Sequence, residues 1–532
     1  MNRTIFKYSL MLLSLAGGQI SVSAQELPND WHLLDQKKDN VPGISLEKAY
    51  ELLSDRTPEP VIVAVLDSGV DIAHEDLAAH IWSNKDEKAG NKKDDDGNGY
   101  IDDINGWNFI GNVQGESLIA ETLEMTRIYK QYVARFGNKD KYSIGPEEKE
   151  EYLKFLYYKE KFETEKQELQ DRVDDSKEEA DFLAELVPPT QKALKKEIFS
   201  RKDLEKFKAR NENHQRLKAT FLRILDRNQN LTAERVIERY KSSKKRMEEM
   251  TLRLKHNYSL SFDGRSLIGP TDPGYGNADV TKRAGHGTHV SGIIGAVSSN
   301  DIGIRGIASH VVIMPIRSTP MGDEDDIDVA NGIRYAVDNG ARIINMSFGK
   351  DYSPQKEEVD AAVRYAEEKG VLLVHGAGND HTNTDYFYNF PTALMEDGSV
   401  VSNWIEVGAT SGNLNEDLVA VFSNYGAKSV DIFAPGVAIY STLPENEYDH
   451  RSGTSMASPV VAGVAALLLS YFPEFTPSQV KGIIEDSGVS VDLQVHKPGT
   501  QELVSFKSLS RTGKIVNAYE AVKLALERTK NK

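Results

Sequence analysis

The sequence predicts an α/β fold: a parallel sheet with helices on both faces, interrupted by a mostly helical, charged insertion. Three observations lead there. Val61-Ile62-Val63-Ala64-Val65-Leu66 is a continuous apolar, β-branched run of the kind buried on both faces of a parallel sheet. After Phe262, apolar strands alternate with segments of helical spacing, the order that parallel sheets require. Between these flanks, from Glu116 to Lys255, 60 of 140 residues are Asp, Glu, Lys or Arg, a texture foreign to either side.

Taken in order, residues 1–24 have the parts of a secretory signal peptide. Arg3 and Lys7 make a basic start, Tyr8 to Ala16 is mostly apolar, and Val22-Ser23-Ala24 offers small residues for cleavage. The apolar run is short for a bilayer span, so the expected product is exported, periplasmic or secreted, with no membrane span after signal removal. Residues 25–60 form a polar N-terminal extension with one helix, Leu46 to Leu53. Residues 61–110 carry the first strand and open the sheet domain.

The insertion is assigned to residues 111–262. Phe155, Phe162 and Leu169 recur every seven residues and Val173 follows four later, one apolar stripe on a long helix. A second helix is expected from about Thr190 to Leu225 and a third from Thr232 to Leu254, with Asn228 to Asn230 between them. Pro188 and Pro189 are expected to mark a corner of this hairpin or small bundle. In residues 263–532, Val311 to Ile316, Ile343 to Met346 and Val371 to Val374 read as strands, and Asp326 to Asn339 as a helix. Ser353 and Pro354 look like the N-cap and first residue of a further helix that Gly370 closes, with Val359, Ala362, Val363 and Ala366 on its buried face. Val460 to Leu469 is apolar but too short to span a membrane, and reads as a buried helix.

Composition narrows the chemistry. The chain of 532 residues is long enough for about three domain-sized units. Its formal net charge of -17 argues against nucleic acid and anionic lipid as main partners. With no cysteine, disulfides, thiolate zinc sites and a cysteine nucleophile are excluded.

Reactive groups of an open parallel sheet gather beyond the carboxyl ends of its strands. Asp67 ends the first strand, where an Asp serves as a cap, a metal ligand or the orienter of a histidine. In Gly285-His286-Gly287-Thr288-His289-Val290, two histidines three apart are a metal pattern at first sight, but no nearby Glu completes a zinc-protease site. A histidine near its ordinary pKa suits general base and then general acid work. Gly453-Thr454-Ser455-Met456-Ala457-Ser458-Pro459 opens the apolar helix and puts Ser455 at its N-terminus, as a cap or where free N–H groups favour developing negative charge. Asn379, in Gly376-Ala377-Gly378-Asn379, is a turn residue or an amide donor to an oxyanion. Ser347-Phe348-Gly349 offers a strand end that an extended peptide could pair with.

Asp-Ser-Gly at Asp67, His-Gly-Thr-His-Val at His286 and Gly-Thr-Ser-Met-Ala-Ser-Pro around Ser455 together resemble the three signature blocks of the subtilisin-like serine proteases, the subtilases of peptidase family S8. Asn345 to Gly349, Gly376 to Asn379, Phe422 to Gly426 and Ala434 to Gly436 are similar to accessory blocks of the same family. The resemblance implies a subtilisin-like sheet and a serine endopeptidase acting on protein or peptide substrates. It implies Ser455 as nucleophile, His286 as base, Asp67 as its orienter, and Asn379 with the Ser455 N–H as oxyanion donors. It further implies that Ser347, Phe348, Gly349, Gly376, Ala377 and Gly378 line the substrate cleft. The insertion between Asp67 and His286 departs from compact relatives, and three roles stay open for it: covering the cleft, binding an unknown partner or restricting substrates. A scaffold protein with a residual protease fold is the competing reading.

A second site is read in Asp94-Asp95-Asp96-Gly97-Asn98-Gly99-Tyr100-Ile101-Asp102-Asp103. Asp94, Asp96 and Asn98 alternate as in the start of an EF-hand loop, and Tyr100 could add its carbonyl. The distal Glu is missing, so Asp102 or Asp103 must replace it. Calcium in a stabilising role is expected, with no cofactor needed for the chemistry.

Overall fold

The computed structural model describes residues 27–227, 231–268 and 275–530; the segment 1–24 expected to be a signal peptide and Asn228 to Asn230 lie outside them. The chain forms two compact units, Met125–Phe262 and a larger one built from Glu26–Glu124 with Asp263–Lys532. Residues 111–124, read from sequence as part of the insertion, belong to the larger unit. There the Leu118 carbonyl accepts from the buried Arg317 guanidinium and Glu124 pairs with the buried Lys350.

The larger unit is organised by a nine-stranded sheet. Its strands are β1 (Val61–Asp67), β2 (Trp107–Asn108), β3 (Val311–Arg317), β4 (Ile343–Met346), β5 (Leu372–Gly376), β6 (Trp404–Thr410) and β7 (Ile432–Pro435). Two antiparallel pairs lie outside it: β8 (Ile439–Leu443) with β9 (Glu447–Arg451), and β11 (Gln494–His496) with β12 (Leu503–Ser505). The short β10 (Val489–Ser490) and β13 (Lys514–Ile515) complete the main sheet in the order β10-β13-β7-β6-β5-β4-β1-β3-β2. Every pairing in it is parallel except that of β10 with β13. β1 lies between β3 and β4, so successive crossovers leave it on opposite sides and open a crevice at its carboxyl end.

Both faces are covered, as the apolar run of β1 requires. Val61, Val63 and Val65 enter one core with α1 (Leu46–Leu53), α2 (Gly285–Gly295) and residues of the later helices. Ala64 and Leu66 enter the other, with α3 (Asp326–Asp338) and α4 (Lys356–Glu368). The first core is completed by α5 (Thr454–Tyr471), α6 (Pro477–Ser487) and α7 (Ala518–Lys530). α5 is long and apolar enough to cross a membrane, yet it is 89% buried inside this core. Pro459 within α5 lacks the N–H that would bond the Ser455 carbonyl. That carbonyl accepts instead from the Ser347 hydroxyl at 3.0 Å, so the proline ties the helix start to the end of β4.

One helix start differs from expectation. α4 begins at Lys356 with Gln355 as its cap, because Asp326 captures the Ser353 hydroxyl at 2.9 Å and the Gln355 N–H at 2.9 Å. A tertiary acceptor outweighs the local capping preference. The closing Gly370 has φ +74° and the predicted face is buried.

In the smaller unit, Phe155, Phe162, Leu169 and Val173 lie buried on one helix, Lys149–Leu194. Pro188 and Pro189 sit inside that helix and do not turn the chain. The turn comes at Lys195, in the left-handed region at φ 58°. Leu183, Leu186 and Val187 pack with Phe199, Leu204 and Phe221, and this contact holds the last turns helical despite a proline cost of about 3 kcal/mol. The expected second helix is two, Arg201–Lys206 and Glu212–Arg227; the third runs Ala233–Asn257, capped by the Thr232 side chain. Glu179, buried on the long helix, pairs with Arg239 and Arg246 of the third.

Candidate active site

Four segments meet at the carboxyl edge of the sheet in the larger unit. Asp67 ends β1 and is 1% exposed. Its two carboxylate oxygens lie 2.8 and 2.9 Å from Nδ1 of His286, in the first turn of α2. A carboxylate only accepts, so Nδ1 carries a hydrogen and Nε2 is the nitrogen left facing away from Asp67. Nε2 has no partner among the described residues, and the side chain is 34% exposed. The Ser68 N–H donates to Asp67 Oδ1 at 2.6 Å, and the Ser318 N–H fixes the Asp67 backbone at 2.9 Å. The approach of α2 to this strand end requires glycine: a Cβ on Gly287 would stand 2.2 Å from the Gly69 carbonyl oxygen.

His289, the other histidine of that segment, is buried against the Asp449 carbonyl at 3.1 Å, and burial pushes its pKa down to about 3. It is a neutral core residue, and no metal cluster among the described residues includes it.

Ser455 is the second residue of α5. Among the described residues its hydroxyl makes one hydrogen bond, to the Ser347 carbonyl at 3.1 Å, and not to His286. Asn379, beyond β5, accepts from the Thr454 N–H at 2.9 Å and from the Thr454 hydroxyl at 3.2 Å. These contacts hold its amide oxygen and leave its NH₂ group without an acceptor among the described residues. The preceding Gly378 has φ +103°, a conformation glycine adopts at no steric cost, and its N–H donates to Thr454 Oγ1 at 3.1 Å. Ser455, Asn379, Ser347, Phe348, Gly349, Gly376 and Gly378 line one cleft of about 250 Å³, and Ala377 is buried behind it.

Sequence reasoning missed several supports. Thr454 orients Asn379, although it stands inside the quoted serine block. Asn424, in the Phe422 to Gly426 block, binds the Ala377 carbonyl at 2.8 Å and receives the N–H groups of Asp380 and Thr382. Asn389 donates to the Gly376 carbonyl at 3.1 Å; its neighbourhood carried no motif.

The acidic loop divides. Asp94 is taken up by the N–H groups of Gly97, Asn98 and Gly99, at 2.6, 3.1 and 2.9 Å, because the left-handed Gly97 and Gly99 turn these donors inward. Asp102 caps the N–H groups of Asn91 and Lys92, and the Tyr100 ring packs on Trp107 and Tyr335. Asp96 and Asp103 converge instead with Glu87, which the motif did not include; their ligand atoms lie within 4.8 Å of one another. Asn98 stays close through its amide, which donates to Asp96 at 3.1 Å and Asp103 at 3.2 Å. Glu87 is 7% exposed, and its Oε2 has no hydrogen-bond partner among the described residues. Burial, with Asp96 adding repulsion, pushes the Asp103 carboxyl up to about 6.

A parallel sheet wrapped by helices, with Asp67, His286, Asn379 and Ser455 along one carboxyl edge, is a subtilisin-like α/β architecture. The subtilase family model matches residues 211–508, more than half of the chain, and the protein belongs to that family. The matched span contains His286, Asn379 and Ser455; Asp67 lies ahead of it. Similar proteins include the thermophilic serine proteinase of Bacillus sp. (strain AK1), 44% identical over 186 residues, 35% of this chain and 42% of that protein. Thermitase of Thermoactinomyces vulgaris is 42% identical over 187 residues, 35% of this chain and 61% of that protein. Subtilisin DY of Bacillus licheniformis is 36% identical over 211 residues, 39% and 71% respectively. The chain thus spans from 42% to 61% of the length of the first two of these relatives.

Proposed function

We propose that the protein is an exported serine endopeptidase that hydrolyses peptide bonds through Asp67, His286 and Ser455. The observation that carries this reading is the two-oxygen grip of Asp67 on His286 Nδ1, which orients the ring and leaves Nε2 as the nitrogen for proton transfer. In this reading Ser455 gives up its Ser347 acceptor and donates to Nε2 in the productive complex. Catalytic hydrogen bonds commonly tighten only when substrate is bound. The hydroxyl then attacks the scissile carbonyl, His286 takes its proton and returns one to the leaving amine, and Asp67 stabilises the imidazolium. The Asn379 NH₂ and the Ser455 N–H receive the oxyanion. The substrate backbone pairs along Ser347 to Gly349 and Gly376 to Gly378. A fluorophosphonate probe tests the assignment: it labels the wild type and not Ser455→Ala, and equal labelling of both refutes it. Export follows from the leader and is tested by N-terminal sequencing of the protein recovered outside the cytoplasm.

The acidic loop supports a second, structural part of this reading. Glu87, Asp96 and Asp103 would hold a hard divalent cation, calcium, with Asn98 beside them. The support is the buried, unpartnered Oε2 of Glu87, a carboxylate oxygen that a cation would satisfy. Calcium at one hundred times its dissociation constant is expected to stabilise the fold by about 2.7 kcal/mol. The check is the melting temperature of chelator-stripped protein with and without calcium, and Glu87→Gln should remove the difference. An unchanged melting temperature in the wild type refutes the site.

A further inference from the structure

Beneath the cleft lies a second histidine–carboxylate pair that the proposed chemistry does not use. His375 on β5 and Glu406 on β6 are register partners across the parallel ladder. His375 is fully buried and Glu406 is 7% exposed. Nδ1 of His375 lies 3.0 and 3.1 Å from the two Glu406 oxygens, and Nε2 lies 2.7 Å from the Phe348 carbonyl oxygen. Carboxylates and carbonyls only accept. Both ring nitrogens must therefore carry hydrogen, which makes the ring an imidazolium. Loss of either proton would set a nitrogen lone pair against an oxygen in a dry interior.

The surroundings agree. Burial opposes the charge on His375, but Glu406, the Phe348 carbonyl and Glu324 overcome it and hold the histidine above its ordinary range. Two uncharged neighbours flank it: Met346 is its register partner on β4, and the Trp404 ring lies at 5.3 Å. Trp404 also donates its indole N–H to Glu406 at 2.8 Å. Asp431, just before β7, receives the Glu406 N–H and is itself paired with Lys481 and Arg511.

The Phe348–Gly349 peptide is trans, so its C=O and N–H point opposite ways. Drawing the Phe348 oxygen down to His375 turns the Gly349 N–H the other way. Gly349 lines the cleft, and its N–H has no acceptor among the described residues. We propose that the His375–Glu406 pair is a buried anchor that presets the Gly349 N–H to receive the carbonyl of an extended substrate chain, making His375 a positioning residue. The proposal rests on the reading of this cleft as the peptide-binding site.

A histidine held above its unfolded value keeps its anchor at low pH and loses it as pH rises through the folded value. KM for extended peptides is therefore expected to climb on the alkaline side, with kcat for a short ester that stops before Gly349 unaffected. In His375→Ala, KM for the extended peptide should rise about tenfold while the short ester is unchanged. His375→Gln combined with Glu406→Gln keeps a donor toward Phe348 and removes the titration; it should restore KM and flatten the alkaline rise. Unchanged KM in a folded His375→Ala overturns the anchor. If His375→Ala fails to fold, the double variant and imidazole ¹⁵N spectroscopy decide. In full-length Ser455→Ala at neutral pH, two protonated nitrogens on His375 support the anchor and a neutral ring overturns it. A wild type that cleaves neither substrate refutes the peptidase reading instead, and the nitrogen spectrum is independent of that outcome.

Discussion

Replacing Ser455 with alanine is expected to lower kcat for peptide hydrolysis by roughly 10⁶-fold, the loss known for the corresponding serine of subtilisin, while leaving the protein folded. The asymmetry follows from what the hydroxyl touches. In the resting structure it makes a single hydrogen bond, to the Ser347 carbonyl, so its removal costs on the order of 1 kcal/mol of stability. The tie between α5 and β4 survives, because it runs from the Ser347 hydroxyl to the Ser455 backbone carbonyl. His286→Ala should lose a comparable factor, and the double variant should be no worse than either single one, since nucleophile and base act as a unit. Steady-state kinetics on an extended peptide with parallel thermal melts check this. Additive losses would show that Ser455 and His286 do not share one step, and substantial turnover by Ser455→Ala would place the nucleophile elsewhere.

The parts of this site that were legible in sequence are those whose signal is local. The apolar run Val61 to Leu66 predicted a buried parallel strand, and it pairs with β3 on one side and β4 on the other. Short blocks mark Asp67, His286, Asn379 and Ser455 in the sequence itself. What the sequence hid depends on partners distant in the chain. Pro188 and Pro189 read as a corner by local rules, but the packing of Leu183, Leu186 and Val187 overrode them. Ser353 lost its capping role to Asp326, and Glu87 precedes the acidic motif it joins. The His375–Glu406 pair is visible only once β5 and β6 are known to be neighbours in register. Buried polar contacts of this kind leave no periodicity, because each is a single pair fixed by topology.

Removing the proposed oxyanion donor is expected to give the second large effect. Asn379→Ala is expected to lower kcat by roughly 10²–10³-fold with little change in KM, the pattern of an interaction made mainly in the transition state. Alanine also deprives the Thr454 N–H of its acceptor at the start of α5, so about 1 kcal/mol of stability should go with it. Asn379→Asp separates the two roles. Aspartate keeps an oxygen for the Thr454 N–H and hydroxyl, so thermal stability should stay close to wild type. It replaces the NH₂ donor with a negative charge in the cleft, so kcat should fall at least as far as in Asn379→Ala. Thr454→Val leaves the backbone N–H on Asn379 but deletes the hydroxyl that reaches both Asn379 and the Gly378 N–H. Its loss in kcat should be smaller, because the amide is loosened and not removed. If Asn379→Asp kept wild-type kcat, the NH₂ group would have no part in the transition state, and the Ser455 N–H would be left as the donor on that side of the cleft.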